Sequence, residues 1–109
     1  MNYSFMSANQ PMGVGDSMAL SLEEAREHLR IDGTDNDVII LSLLQAIPGY
    51  IEVTTGMTAE QQVTEPLVKT ASKFILQLWY NAEQTNSYKL QRTIDGLLKA
   101  ITVMARTGA

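Results

Sequence analysis

Asp37-Val38-Ile39-Ile40-Leu41-Ser42-Leu43-Leu44-Gln45-Ala46-Ile47-Pro48-Gly49-Tyr50-Ile51-Glu52-Val53-Thr54-Thr55-Gly56 is the stretch on which the fold turns. Ile40, Leu43, Leu44, Ile47, Tyr50, Ile51 and Thr54 recur at steps of three and four, the spacing of one face of an α-helix. The spacing predicts a long helix facing a core. Pro48 lacks a backbone donor and its ring collides with the carbonyl of Leu44, yet the apolar pattern keeps phase across Pro48-Gly49. A kink is expected there rather than a break, with Gly56 as a left-handed stop.

Upstream, Asp32-Gly33-Thr34-Asp35-Asn36-Asp37 has the acid density of a calcium loop but not its spacing. Counted from Asp32, the obligatory glycine position holds Asp37 and the bidentate acid position holds Leu43. These residues read instead as a turn and a helix cap, with Thr34 or Asp35 as N-cap and Asp37 in the first turn. Ser21-Leu22-Glu23-Glu24 is a capping box that opens an earlier helix with Leu22, Ala25 and Leu29 on one face, ending near Gly33. His28 is the only histidine and has no nucleophile or second ligand to work with, so it is read as a helix residue without chemistry. Residues 1–20 lack either periodicity and carry four of the six methionines, which predicts a flexible arm. Gly13-Val14-Gly15 is not a nucleotide loop, because the third glycine position holds Met18.

Downstream, Met57 to Val63 reads as a polar connection. Thr64-Glu65-Pro66 opens a third helix, with Leu67, Ala71, Phe74 and Leu78 as its central stripe and Val68, Ile75 and Trp79 widening it. Lys69, Lys73 and Tyr80 share its other side. After a polar turn at 81–87, a fourth helix carries Leu90, Ile94, Leu97, Ile101 and Met104 at heptad spacing. Arg92, Lys99 and Arg106 project from its opposite side, as suits contact with phosphate or an acidic protein. No segment reads as a strand. The expectation is an all-α fold: a small four-helix domain over residues 21–109 with a kinked second helix, preceded by the arm at 1–20.

Composition agrees. The 109 residues are 45% hydrophobic and 18% charged, the profile of one globular domain. No run approaches the roughly 18 uninterrupted apolar residues of a bilayer crossing, so no membrane span is expected. Met1 to Ala19 contains no Lys or Arg, so no export signal is read. With no cysteine there is no disulfide framework, thiolate metal site or cysteine nucleophile, and folding in the cytoplasm is expected. A net charge of -4 argues against a surface built to wrap nucleic acid. Residues 1–65 hold ten acids and two bases, whereas residues 66–109 hold two acids and six bases.

Ser21-Leu22-Glu23-Glu24-Ala25-Arg26-Glu27-His28-Leu29-Arg30-Ile31-Asp32-Gly33, followed by Asp35-Asn36-Asp37, resembles the opening of the head-tail connector proteins of tailed bacteriophages. The resemblance continues through Tyr50-Ile51-Glu52, Thr54-Thr55-Gly56, and Pro66-Leu67-Val68-Lys69 leading to Trp79-Tyr80-Asn81. Pro48-Gly49 and the long amphipathic C-terminal helix depart from the family's pattern. The resemblance implies a helical subunit of a homo-oligomeric ring of about twelve copies, located beneath the portal in the virion and assembled in the host cytoplasm. The ring would join the portal protein to stopper or tail-completion proteins, and genomic DNA would pass through it unread. No catalysis, cofactor, metal or membrane contact is implied.

Charge supplies a hypothesis for the ring, a heterologous interface setting the acidic first half of one copy against the basic second half of the next. Asp35, Asp37, Lys69 and Lys73 are its candidate residues, with Arg92, Lys99 and Arg106 facing a DNA channel or the portal. The alternative is a dimeric helical DNA-binding regulator or antitoxin-like module, reading bases with Gln91 and Arg92. An enzyme is disfavoured, because Glu23, Glu24, Asp35 and Asp37 all have capping explanations.

Overall fold

The computed structural model describes residues 19–82 and 87–108. Five helices follow one another among these residues: α1 (Leu22–Leu29), α2 (Asp37–Thr55), α3 (Ala59–Gln62), α4 (Pro66–Tyr80) and α5 (Ser87–Gly108). No strand occurs among the described residues, and the fold is all-α.

α1 starts as its capping box dictates. The Ser21 Oγ accepts from the Glu24 N–H at 3.1 Å, and the Ser21 N–H donates to Glu24 Oε1 at 2.9 Å. It ends before Gly33, at Arg30, which adopts a left-handed φ of 61° while the Ile31 N–H closes back on the Arg26 carbonyl at 3.0 Å. α2 is continuous through Pro48 and stops at Gly56, whose φ of 89° is the left-handed turn expected of it.

The N-cap of α2 is Asn36, rather than Thr34 or Asp35, and it makes no side-chain cap bond. Its amide instead donates to the Tyr80 hydroxyl at 2.9 Å, tying the helix start to the end of α4. Asp37 does occupy the first turn.

The segment read as a polar connection contains the short helix α3. A second capping box forms it, with the Thr58 Oγ1 accepting from the Gln61 N–H at 3.2 Å and the Thr58 N–H donating to Gln61 Oε1 at 3.0 Å. One turn is too short to show periodicity, which is why four helices were expected and five are present among the described residues. Gln62 is buried because its Nε2 donates to the carbonyls of Pro48 and Met57, at 3.0 and 2.9 Å.

α2 and α4 pack together, α5 packs on both, and α1 lies on α2 and α4. The core is Ile40, Leu44, Ile47 and Ile51 of α2 against Val68, Ala71, Ile75 and Leu76 of α4, closed by Ile94 and Ile101 of α5. Each such aliphatic side chain contributes about 1.5–3 kcal/mol by leaving water. The buried arc of α4 is rotated from the expected stripe: Val68, Ala71, Ser72, Ile75 and Leu76 are innermost, Ala71 alone of the expected central stripe among them, while Leu67, Phe74 and Leu78 are half-buried at its margins. Packing against three neighbours shifts the centre of a buried arc, and single-helix periodicity does not register that.

At the end of α2 it is Thr55, not Thr54, that turns inward. Its Oγ1 donates to the Ile51 carbonyl at 2.6 Å and accepts from the Met57 N–H at 3.1 Å. Ala19 and Leu20 belong to the packed part, with Leu20 only 2% exposed. The remainder of the expected arm lies outside the described residues.

Candidate interaction surfaces

The acidic part of the surface is built by α1 and the turn after it. Glu23, Glu27, Asp32 and Asp35 are exposed. Glu24 is held from two sides, its Oε1 by the Ser21 N–H and its Oε2 by Lys69 Nζ at 2.8 Å. The Lys69 ammonium and the capping N–H lower its carboxyl to a pKa of about 2. Asp37 takes a fork from Arg26, Nε to Oδ1 at 2.8 Å and Nη2 to Oδ2 at 2.6 Å, and that guanidinium holds the carboxyl below the usual aspartate range.

Of the four residues expected to meet a neighbouring copy, Asp37 and Lys69 therefore have partners within the chain. Asp35 is exposed and Lys73 half-buried, and neither forms an ion pair among the described residues. Asp35 and Asp37 stand just before and at the start of α2, and Lys69 and Lys73 on α4.

His28 Nε2 lies 2.8 Å from Gln77 Oε1, and its ring meets Phe74 edge-on at 5.9 Å. Both contacts fasten α1 to α4. Among the described residues no group of three or more His, Cys, Asp and Glu side chains is placed to hold a metal ion.

α5 buries Ile94 and Ile101 and turns Arg92, Lys99 and Arg106 outward, all three exposed. Lys89 is exposed as well, and the Arg92 guanidinium lies 5.8 Å from the centre of the Tyr88 ring, which is itself 70% exposed. Asp95 is the one acid within α5, and it accepts from Gln91 Nε2 at 3.0 Å. The outer face is a basic strip along a helix of 22 residues, about 33 Å long.

The outer face of α2 was not singled out from sequence. Val38 is 79% exposed, Ile39 55% and Val53 86%, and Ser42, Ala46 and Gly49 are exposed between them. Val38 to Ile51 contains no charged residue. The signal was available, since Val38 and Ile39 fall off the inward stripe and no charged residue follows until Glu52.

That composition bears on the membrane expectation as well. By length and composition α2 is long and apolar enough to cross a bilayer, although no uninterrupted apolar run is. Its inner stripe is packed against α4 and α5, the arrangement of a bundle's core helix.

No curated protein and no solved structure matches the chain. Residues 19–106 match the family described as phage gp6-like head-tail connector protein. The match begins at Ala19, where the described chain starts, and reaches Arg106 near the end of α5, so it takes in every helix and both outer faces. The chain belongs to the phage gp6-like head-tail connector family.

Proposed function

We propose that this chain is a passive ring subunit of the head-tail junction, of about twelve copies. The ring seats beneath the portal protein, receives stopper or tail-completion proteins on its other side, and lets genomic DNA pass without reading it. Subunits fold and assemble in the host cytoplasm before joining the particle. Family membership over residues 19–106 is the observation that carries this reading, and the family is a structural one.

Two physical features support it. A domain of this size leaves apolar surface that it cannot bury alone, and a head-to-tail contact that closes by rotation covers such surface in every copy. The exposed cations of α5, Arg92, Lys99 and Arg106, suit the wall of a DNA channel or an acidic portal surface, where charge matters and base identity does not. Asp35 and Lys73 supply charge across the subunit boundary, while Asp37 and Lys69 help hold their own subunit together.

Electron micrographs of the purified protein, alone and mixed with portal protein, test the reading. Closed rings, or rings formed only on the portal, are the expected result. A two-copy particle that ignores the portal and binds one DNA sequence tightly would overturn it in favour of a regulator. A ring structure with Arg92, Lys99 and Arg106 all facing outer solvent would remove the channel assignment alone.

A further inference from the structure

We propose that α2 of one subunit docks antiparallel along α5 of the next, outer face against outer face. The inference rests on the ring reading and names its contact.

Among the described residues, every large apolar side chain that is more than half exposed stands on one of these two faces: Val38, Ile39 and Val53 on α2, Tyr88 and Val103 on α5. Their charges are opposite. The only charged residues of α2 are the acids Asp37 and Glu52, and Asp37 is already held by Arg26, which leaves Glu52 exposed beside Val53 with no ion pair among the described residues. On α5 the exposed bases Lys89, Arg92, Lys99 and Arg106 outnumber its one acid, Asp95, and they too form no ion pair among the described residues. Each face is open apolar surface edged by one sign of charge, and each carries the sign that the other lacks.

The faces also match in length. Val38 and Val53 are 15 residues apart, and so are Tyr88 and Val103, about 22 Å along a helix in either case. Laid antiparallel with Val53 on Tyr88 and Val38 on Val103, the helices bring Glu52 level with Lys89 and within a turn of Arg92. Asp35, just ahead of α2, comes level with Arg106. Set parallel, the same apolar ends would meet, but Glu52 would fall level with Thr102, and Asp35 would lie ahead of the start of α5. Lys99 has no acid opposite it in the antiparallel setting and stays at the rim, open to the channel or the portal.

Within one subunit these faces cannot meet. α5 packs on α2 from the inner side, with Ile94 and Ile101 in the shared core, and Val53 and Val103 stay 86% and 56% exposed. The contact is therefore between copies. Because its two surfaces differ it is head-to-tail: every subunit offers α2 to one neighbour and α5 to the other, and a constant rotation closes the series.

The chain has no cysteine, which permits a clean test in the full-length protein. Gln45→Cys and Gly96→Cys, both at exposed positions near the middle of the contact, are made in separate chains, mixed with and without portal protein, and treated with a short bismaleimide. The expected product is a covalent dimer in the mixture and in neither chain alone. Glu52→Arg in the Gln45→Cys chain should cut its yield about fivefold or more by setting like charges against each other, and Lys89→Glu with Arg92→Glu in the Gly96→Cys chain should restore it. No link in the mixture overturns the proposal. So does a link among Gln45→Cys chains alone, which pairs α2 with α2, or among Gly96→Cys chains alone, which pairs α5 with α5. A yield indifferent to Glu52→Arg, or a loss that the two α5 substitutions leave unrestored, overturns the antiparallel register. Electron micrographs of the same samples separate the two readings. Rings without the link sink this contact and leave the ring, whereas linked pairs or open strings without rings keep the contact and sink the ring.

Discussion

α2 and α5 present the same kind of inner stripe and opposite outer faces. Inward, Ile40, Ile47 and Ile51 of one helix and Ile94 and Ile101 of the other are all at most 2% exposed. Outward, α2 shows Val38, Ile39 and Val53 with no charge from Val38 to Ile51, whereas α5 shows Lys89, Arg92, Lys99 and Arg106. The inner stripes make the fold, and nothing in the fold needs the outer faces to differ. A cationic strip is at ease in water; an uncharged strip with valines open to four-fifths of their surface calls for a cover. The contrast predicts a dry contact on α2 and a wet, salt-sensitive one on α5.

The sharpest way to break the comparison is to cross from the inner to the outer side of α2. Ile51→Ala opens a cavity at a fully buried position and should cost about 2–5 kcal/mol, read as a drop in the urea midpoint with an unchanged slope. Val53→Asp, two residues on, should move stability by no more than about 0.5 kcal/mol. It should nevertheless abolish assembly, measured by light scattering at matched concentration, alone and mixed with portal protein. Equal destabilisation by both would mean that the outer face is packed within the subunit.

On α5 the reverse pattern is expected. Arg92→Glu, Lys99→Glu and Arg106→Glu together should leave the urea midpoint nearly unmoved, because all three side chains are exposed. Retention on a polyanion such as heparin should fall, and the salt dependence of duplex DNA binding should flatten by a slope of about 0.9 for each phosphate that is no longer neutralised. Unaltered retention would assign the basic strip to ordinary solvated surface.

Legibility in the sequence followed the range of the interaction. Signals that span one helical turn were readable: both bonds of the Ser21/Glu24 capping box form, Pro66 sits in the first turn of α4, and Gly56 takes the left-handed stop. α3 was missed although its Thr58/Gln61 box is equally local, because periodicity was the guide there, and a single turn has none. Asn36, rather than Thr34 or Asp35, stands at the cap of α2, and its amide is spent on Tyr80, a residue 44 positions away. Long-range pairing likewise hid the fate of the candidate charges. Asp37 and Lys69 looked available to a neighbour, but Arg26 and Glu24, 11 and 45 residues away in sequence, lie beside them. Sequence supplies the sign of a charge and its helix face. Whether that charge is already engaged depends on tertiary packing.

The smallest effect expected concerns that engaged charge. Glu24 has a pKa of about 2 in the fold against a usual 4.5, so the folded state favours its ionised form. Its contribution to stability is fully present above the unfolded value near 4.5 and is lost as pH falls toward 2. Lys69→Met removes the largest cause of the lowering while leaving the Ser21 cap bonds, so the folded carboxyl should rise part of the way back. At neutral pH the loss should stay below about 1 kcal/mol, since the two side chains are 43% and 37% exposed and water screens the pair. The telling measurement is urea unfolding at a series of pH values between 2 and 6. The variant's curve should lie below the native one at pH 6 and converge with it at the acid end, where Glu24 is protonated in the unfolded chain of both and approaches half-protonation in the native fold. A constant offset across the whole series would mean that the Lys69 stem packs against α1 and that its charge contributes nothing. Convergence would instead show an ion pair serving the subunit's own fold, in contrast to the exposed cations of α5 that remain open to a polyanion.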